Sequence, residues 1–461
     1  MRYYLLTHHG RFLCRARDGR GLRQAGWNEI VDRDELAAID VDPACVGHDF
    51  AALLADTPMP PREAHVRHLG PRTIELDVTD RTICLKRNGE YLSAENTGDI
   101  REDSLEAYGW ERLVAVSDAD MDVLATVFAN AWIVQSSGEL IGKSGIALEA
   151  GHALRVGPIK VALAFSLPFD LIEAPLRITL LNEGWRLEEI IQFRPLIYYT
   201  VFGNDQYFAQ LHVSLESLMH IGRYDGDLMV LTDRTKTEIC NAVPSLQPDR
   251  VHVAPFATGD RTSVYAARYS IIDAPGADRF QPLVYVDGDV VWNTRVTPML
   301  VDIAMLNRIT APIETFSLLA ESRSVGATLL QKDYAQPGLA CGFNSGTLGI
   351  PNLTAHRQAL ALIQRVIANY LAIHGRNALS WGDQEVANYV SYRRAQFDLV
   401  TMSKYVRYGD ASAARVLGDL TGLVHFWATG RDERAEIMRQ YLSVLLDHAA
   451  HQLVPPERPI G

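Results

Sequence analysis

Apolar and polar positions divide this chain into two textures. Up to about Phe193, apolar residues recur at every second position in short runs broken by Gly and Asn, the pattern of strands with one buried face. Beyond it, continuous apolar runs alternate with stretches of helical period, the pattern of an α/β fold. Leu196–Thr200, 228–231, 251–254 and Leu283–Val286 predict buried strands. Tyr207, Leu211, Leu215 and Leu218 predict one apolar helix face, and 263–273 predicts a helical stretch carrying Arg268. Leu360, Ile363, Ile367 and Leu371 predict a core stripe between an Asn352 N-cap and a Gly375 stop. Residues 434–452 predict an amphipathic closing helix without the basic face of a membrane anchor.

The first texture contains a weak repeat. Gly10, Gly89, Gly138 and Gly184 each follow apolar pairs at six and four positions upstream: Tyr4/Leu6, Ile83/Leu85, Trp132/Val134 and Ile178/Leu180. An apolar residue follows each glycine three positions on (Leu13, Leu92, Ile141, Leu187), so each reads as a hairpin with a tight turn. If the last three mark equivalent hairpins, Leu85, Val134 and Leu180 meet in one core about a pseudo-threefold axis.

Composition narrows the classes. A chain of 461 residues holds about two or three domains. Lys and Arg number 44 against 56 Asp and Glu, a net charge of −12, which disfavours nucleic acid and anionic membrane surfaces as partners. The five cysteines (Cys14, Cys45, Cys84, Cys240, Cys341) form no C-x-x-C pair, so neither a disulfide framework nor a zinc ribbon is expected. With no signal-like core at residues 1–21 and no run near the ~18 apolar residues of a membrane span, a soluble, cytoplasmic protein is expected. Gly142-Lys143-Ser144 ends like a P-loop, but Ser137 stands where the leading glycine is required.

The chemistry concentrates later. Pro282-Leu-Val-Tyr-Val-Asp287-Gly288-Asp289 is an apolar run ending in two carboxylates one residue apart. Ligands of open α/β sheets bind at the carboxyl ends of strands, where such a pair can hold a hard divalent cation or simply start a turn. Downstream come Gly342-Phe343-Asn344-Ser345-Gly346, then Trp381-Gly382-Asp383-Gln384-Glu385, then Leu423-Val424-His425-Phe426-Trp427. Taken singly, His425 reads as a core histidine, Asp383 as a helix N-terminal carboxylate and Asn344 as a turn residue.

In this order the four segments resemble the signature of the family-8 glycosyltransferases, retaining enzymes of GT-A fold, over residues 196–430. The resemblance implies that Asp287, Asp289 and His425 bind Mn²⁺ or Mg²⁺, and that Asp383 and Gln384 flank the reacting carbon. It places Thr200, Asp205, Tyr207, Arg268, Asp287, Asn344, Ser345 and Arg431 around a UDP-sugar donor. Arg431 takes the place of a diphosphate-gripping Lys that this chain lacks, and Ser345 replaces the usual Ala. The 200–205 loop is longer than the family's. Residues 85–93, followed by Gly109-Trp110-Glu111, resemble a fascin-like β-trefoil repeat.

The expected organisation is a β-rich segment with a Pro-rich linker over 1–75, a β-trefoil-like domain over 76–193, and a Rossmann-like GT-A domain over 194–461. The expected function is metal-dependent transfer of a hexosyl unit from a UDP-sugar to an unidentified glycan, small-molecule or protein acceptor. The rival is a non-catalytic glycan- or protein-binding protein whose transferase domain has degenerated. A nucleotide-sugar-forming enzyme would need a Gly-rich, basic loop after the first strand, which 201–205 does not supply.

Overall fold

The computed structural model describes residues 2–19, 21–40, 61–77, 82–129, 132–163, 169–171, 177–181, 187–256, 261–375, 377–410, 417–430 and 432–453. The chain folds as two compact units, Met1–Gln192 and Phe193–Gly461.

Among the described residues the first unit opens with ten strands, mostly short: β1 (Arg2–Thr7), β2 (Phe12–Arg15), β3 (Leu22–Ala25), β4 (Ala38–Asp40), β5 (Arg62–Val66), β6 (Gly70–Asp77), β7 (Thr82–Arg87), β8 (Glu90–Ala94), β9 (Ile100–Ser104) and β10 (Arg112–Ser117). Neighbours pair antiparallel, and β10 pairs with both β1 and β7. Strands β1, β4, β5, β6, β7 and β10 therefore close into a ring, which leaves those edges paired. A helix, α1 (Asp118–Ala129), follows in a region whose pattern suggested only strands. Its entry is a reciprocal cap: the Asp120 amide donates to Ser117 Oγ at 3.1 Å, and the Ser117 amide donates to Asp120 at 3.2 Å. Met121, Leu124 and Phe128 then bury one face at helical spacing.

Beyond α1 lie two antiparallel sheets. One contains β11 (Trp132–Gln135), β12 (Leu140–Gly142), β16 (Phe169–Leu171), β17 (Arg177–Leu181) and β18 (Leu187–Phe193); the other contains β13 (Ile146–Glu149), β14 (Ala153–Val156) and β15 (Ile159–Ala162).

The described residues do not show the β-trefoil expected over 76–193. Residues 75 and 76 both lie inside β6, so the chain does not divide there. Leu85 packs with Leu5, Leu13 and Leu113, whereas Leu180 packs with Leu6, Ile178 and Ile190 in a different cluster. Gly10, Gly89 and Gly138 do turn hairpins, at φ of 70°, 90° and 83°, while Gly184 lies outside the described residues. Tight hairpin turns favour glycine wherever the chain reverses, so the recurring glycines report turns and not a common axis. The repeat that does exist relates β1–β4 to β7–β10: in each set the first strand pairs with the second and with the strand adjacent in the ring.

The second unit is built on a five-stranded sheet. Strands β19 (Leu196–Thr200), β20 (Asp227–Thr232) and β21 (Val251–Pro255) run parallel with β22 (Leu283–Val286), and an antiparallel strand lies beyond β22. These strands fall where the apolar runs predict. After β22 come β23 (Val290–Trp292), β24 (Ile313–Leu318), β25 (Cys341–Phe343), β26 (Thr347–Ile350, the antiparallel member), β27 (Val406–Tyr408) and β28 (Leu423–His425).

The helices that matter to the site are α2 (Asp205–His220), α3 (Leu353–His374), α4 (Asp383–Val390) and α5 (Arg434–Leu453). In α2, Leu211, Leu215 and Leu218 are buried as predicted, but Tyr207 is 41% exposed and leaves that face. The stripe of α3 is buried as predicted, with Asn352 capping the Ala355 amide at 3.0 Å and Gly375 at its end. The stretch 263–273 is the end of a short helix followed by a 3₁₀ turn, Ala267–Asp273, that carries Arg268. None of the described helices is long and apolar enough to cross a membrane. Cys14, Cys84, Cys240 and Cys341 are free thiols, and Cys45 lies outside the described residues.

Candidate functional site

Strand β22 is followed directly by Asp287, whose amide donates to the Gly346 carbonyl at 2.8 Å. Three residues on, β23 begins and pairs antiparallel with β28 so that Val290 faces His425. That register sets the imidazole beside the carboxylates: His425 Nε2 lies 3.1 Å from Asp289 and 3.9 Å from Asp287. One ligand atom from each residue lies within 4.8 Å of the others. Donors about 2.1 Å from a six-coordinate Mg²⁺-sized ion stand about 3 Å apart, so the set suits a small divalent cation, and its two oxygens and one nitrogen are hard to intermediate ligands.

Gly346 makes the approach possible. A Cβ there would lie 2.5 Å from His425 Cε1, 2.7 Å from Asp287 Oδ2 and 2.9 Å from Asn344 Oδ1.

The charges are buried and mutually dependent. Burial alone would raise the Asp289 carboxyl, but His425 and Arg434 overcome it and hold it at about 2. Arg434, the first residue of α5, donates to Asp289 at 2.5 Å and to the Trp427 and Thr429 carbonyls, each at 2.8 Å. Burial raises the Asp287 carboxyl, with Arg268 opposing and Asp289 adding to the shift. For His425, burial favours the neutral ring, but Asp289 and Asp287 together raise its pKa.

Around this centre opens a cleft of 1020 Å³. Arg268 lies across it, 3.4 Å from Asp287 and 3.3 Å from Asp383, and also donates to the Ser345 carbonyl. Asp383 begins α4 and accepts from the Tyr269 hydroxyl at 2.7 Å. Gln384 is clamped at both ends, accepting from the Ser345 amide and donating to the Ser324 carbonyl, each at 3.2 Å. Asn344 accepts from the Gly346 amide at 2.8 Å and donates to buried Glu314 at 2.7 Å. Trp381 and Trp427, 57% and 45% exposed, line the same cleft.

The structure thus gathers Asp287, Asp289, His425, Arg268, Asn344, Ser345, Asp383 and Gln384 into one cleft. Three expected donor contacts stand off its wall. Thr200 Oγ1 meets the Tyr285 hydroxyl at 2.9 Å, and that hydroxyl in turn donates to Asp287, so Thr200 touches the site only through Tyr285. Asp205 points to solvent, 94% exposed, paired with Arg234, and Tyr207 sits on the exposed side of α2. The loop between β19 and α2 carries both outward. Arg431 lies outside the described residues, and Arg434 is the arginine that reaches the carboxylates.

Sequence reasoning missed Glu314, Arg434 and Tyr285. Tyr285 was findable, since in an extended run it shares a face with Asp287 two positions on. Glu314 and Arg434 lie in no motif, and only the fold brings them in.

No family model matches the sequence, and no curated protein matches it. Among solved structures, the chain is similar to mouse xyloside xylosyltransferase 1 in its apo form, at 13% identity and a TM-score of 0.37, covering 51% of this chain and 97% of that one. It is also similar to the galactosyltransferase LgtC in complex with donor and acceptor sugar analogues, at 16% identity and a TM-score of 0.39, covering 57% of this chain and 98% of that one. An active-site mutant of LgtC matches at 16% identity and a TM-score of 0.37, with the same coverage.

Proposed function

We propose that the chain is a glycosyltransferase of GT-A type, moving a hexosyl unit from a UDP-sugar to an acceptor hydroxyl with retention at the anomeric carbon. One observation carries this reading. The three candidate ligands Asp287, Asp289 and His425 converge at the carboxyl end of β22, in the same cleft as Asn344, Asp383 and Gln384. Such convergence is costly to build, because each buried charge must be compensated, and it points to use.

Asp287, Asp289 and His425 would hold Mn²⁺ or Mg²⁺, which when bound neutralises charge on the diphosphate leaving group. The chain's own groups do the rest. Arg268 adds a second positive charge beside the carboxylates, held rigid by Asp383 and Ser345. Asp383 keeps a carboxylate oxygen for sugar hydroxyls. Gln384 Oε1, anchored by the Ser345 amide, retains a lone pair for the anomeric side of the donor. Glu314, pinned by Asn344, offers a further acceptor for a hydroxyl proton. Trp381 and Trp427 provide aromatic faces on which an acceptor sugar can stack.

The test is donor hydrolysis across a panel of UDP- and GDP-sugars with Mn²⁺. Release of UDP from one UDP-sugar, abolished by chelation and in Asp289→Ala, supports the reading. No metal-dependent binding or hydrolysis of any UDP-sugar refutes it.

A further inference from the structure

The first unit has a cavity of its own, 430 Å³ in volume, lined by His8, Thr82, Tyr108, Arg112 and His152. Two turns are tied together at its wall. The Gly151 amide donates to the His8 carbonyl at 2.8 Å, and His152 Nε2 lies 2.9 Å from the Arg112 carbonyl. A carbonyl can only accept, so Nε2 carries the proton and the neutral ring of His152 presents a bare Nδ1. His152 adopts a left-handed φ of 51° in the turn between β13 and β14, which fixes where its ring stands at the cavity wall.

The polar groups here differ in kind from those of the cleft. Thr82 is 3% exposed, and its buried hydroxyl has no hydrogen-bond partner among the described residues. Arg112 faces Asp77 at 3.0 Å, so its charge is already matched. Burial, with His8 and His9 nearby, lowers the His152 pKa to about 4, and burial likewise lowers that of His8. At neutral pH the imidazoles carry no charge. At the rim, the Tyr108 ring is 66% exposed.

These features select a ligand class. An anion would meet an arginine already paired, and an apolar molecule would leave the Thr82 hydroxyl unsatisfied. A metal ion is disfavoured because, among the described residues, ligand atoms converge only at Asp287, Asp289 and His425. A ring of hydroxyls with an apolar C–H face meets every group present, and the volume lies within the range of small-molecule pockets.

We propose that this cavity is a saccharide-binding site, taking a neutral sugar ring stacked on Tyr108 with hydroxyls on Thr82 Oγ1, His8 and His152.

The test uses the full chain and saturation-transfer NMR with glucose, galactose, N-acetylglucosamine and lactose. At least one sugar should bind, and Tyr108→Ala and Thr82→Val should each weaken it by about tenfold, the worth of one stacking or hydrogen-bonding contact. Tyr108 is largely exposed and Thr82→Val is isosteric, so unchanged melting curves are expected for both. UDP-sugar hydrolysis should be unaltered in both variants, which separates this site from the transferase reading. Binding of none of the four sugars, binding unchanged in both variants, or displacement of the bound sugar by inorganic phosphate would overturn the proposal.

Discussion

The cleft of the second unit and the cavity of the first handle buried polarity in opposite ways. The cleft gathers Asp287, Asp289 and Asp383 with Arg268, Arg434 and His425, each charge leaning on another, and adds Glu314, which leans on the Asn344 amide. The cavity leaves a hydroxyl and two neutral imidazoles, with its one arginine already matched. Mutual dependence makes the cleft a single coupled object in which no member can be removed quietly. The cavity's groups are energetically separate, so each can be changed alone. This difference sets how the two places should respond to mutation and acid.

The largest effect is expected from Asp289→Ala. Removing this carboxylate takes an acidic partner from Arg434 and the nearer of two from His425, and it takes away a metal ligand. UDP-sugar turnover should fall by about a thousandfold, in line with the several kcal/mol a catalytic ion supplies. The melting temperature should also drop, since breaking a buried pair costs about 3–5 kcal/mol. Retained Mn²⁺-dependent UDP binding would break the coupled picture.

Asn344→Ala comes next. It strips Glu314 of its partner at 2.7 Å and frees the Gly346 amide. Turnover should fall by about a hundredfold with UDP affinity little changed, because the group acts where the sugar sits. An equal loss in both quantities would show that Asn344 only holds the turn.

Acid separates the regions by pH. His152 is held neutral in the fold, burial lowering its pKa from the ordinary histidine range to about 4. A depressed histidine contributes stability that is present above its unfolded pKa and is lost as pH falls through its folded pKa. The first unit should therefore weaken between about pH 6.5 and pH 4, by up to about 3 kcal/mol. Asp289, at about 2, keeps its charge through that window. Hydrogen exchange of the amides near His152, followed from pH 7 to pH 4, should show the loss, and His152→Gln should flatten it.

The smallest effect is expected from Asp205→Ala. An exposed ion pair is worth about 0–1 kcal/mol, so stability and UDP affinity should barely move. A clear loss of UDP affinity would restore Asp205 to the donor site.

How far the sequence could be read follows the same division. The strands of the second unit were legible because a strand buried on both faces must be apolar throughout, and 196–200 and 283–286 announce themselves. Asp287 and Asp289 could be placed only in company, because a carboxylate pair at a strand's end can equally start a turn and gains meaning from the Asn344, Asp383 and His425 segments that follow in order. Arg434 could not, because an arginine opening a helix usually faces solvent. In the first unit, alternation marked strands and glycines marked turns, but neither says which strand lies beside which. Pairing of β10 with β1 and β7 depends on side-chain fit across the ring. Helix α1 was hidden by its neighbours: twelve residues between strands, whose apolar spacing resembles alternation over short stretches.

The pairing of β23 with β28 also governs when the site can exist. Ribosomes deliver Asp287 and Asp289 long before His425 and Arg434, so a nascent chain that has just completed β23 holds two carboxylates and neither of those partners. Those carboxylates would repel one another and resist burial until β28 and the start of α5 emerge. Completion of the C-terminal segment is thus a checkpoint on the cleft, and a product lacking the residues from β28 onward would present an acidic, open sheet end to the quality-control machinery of the cell.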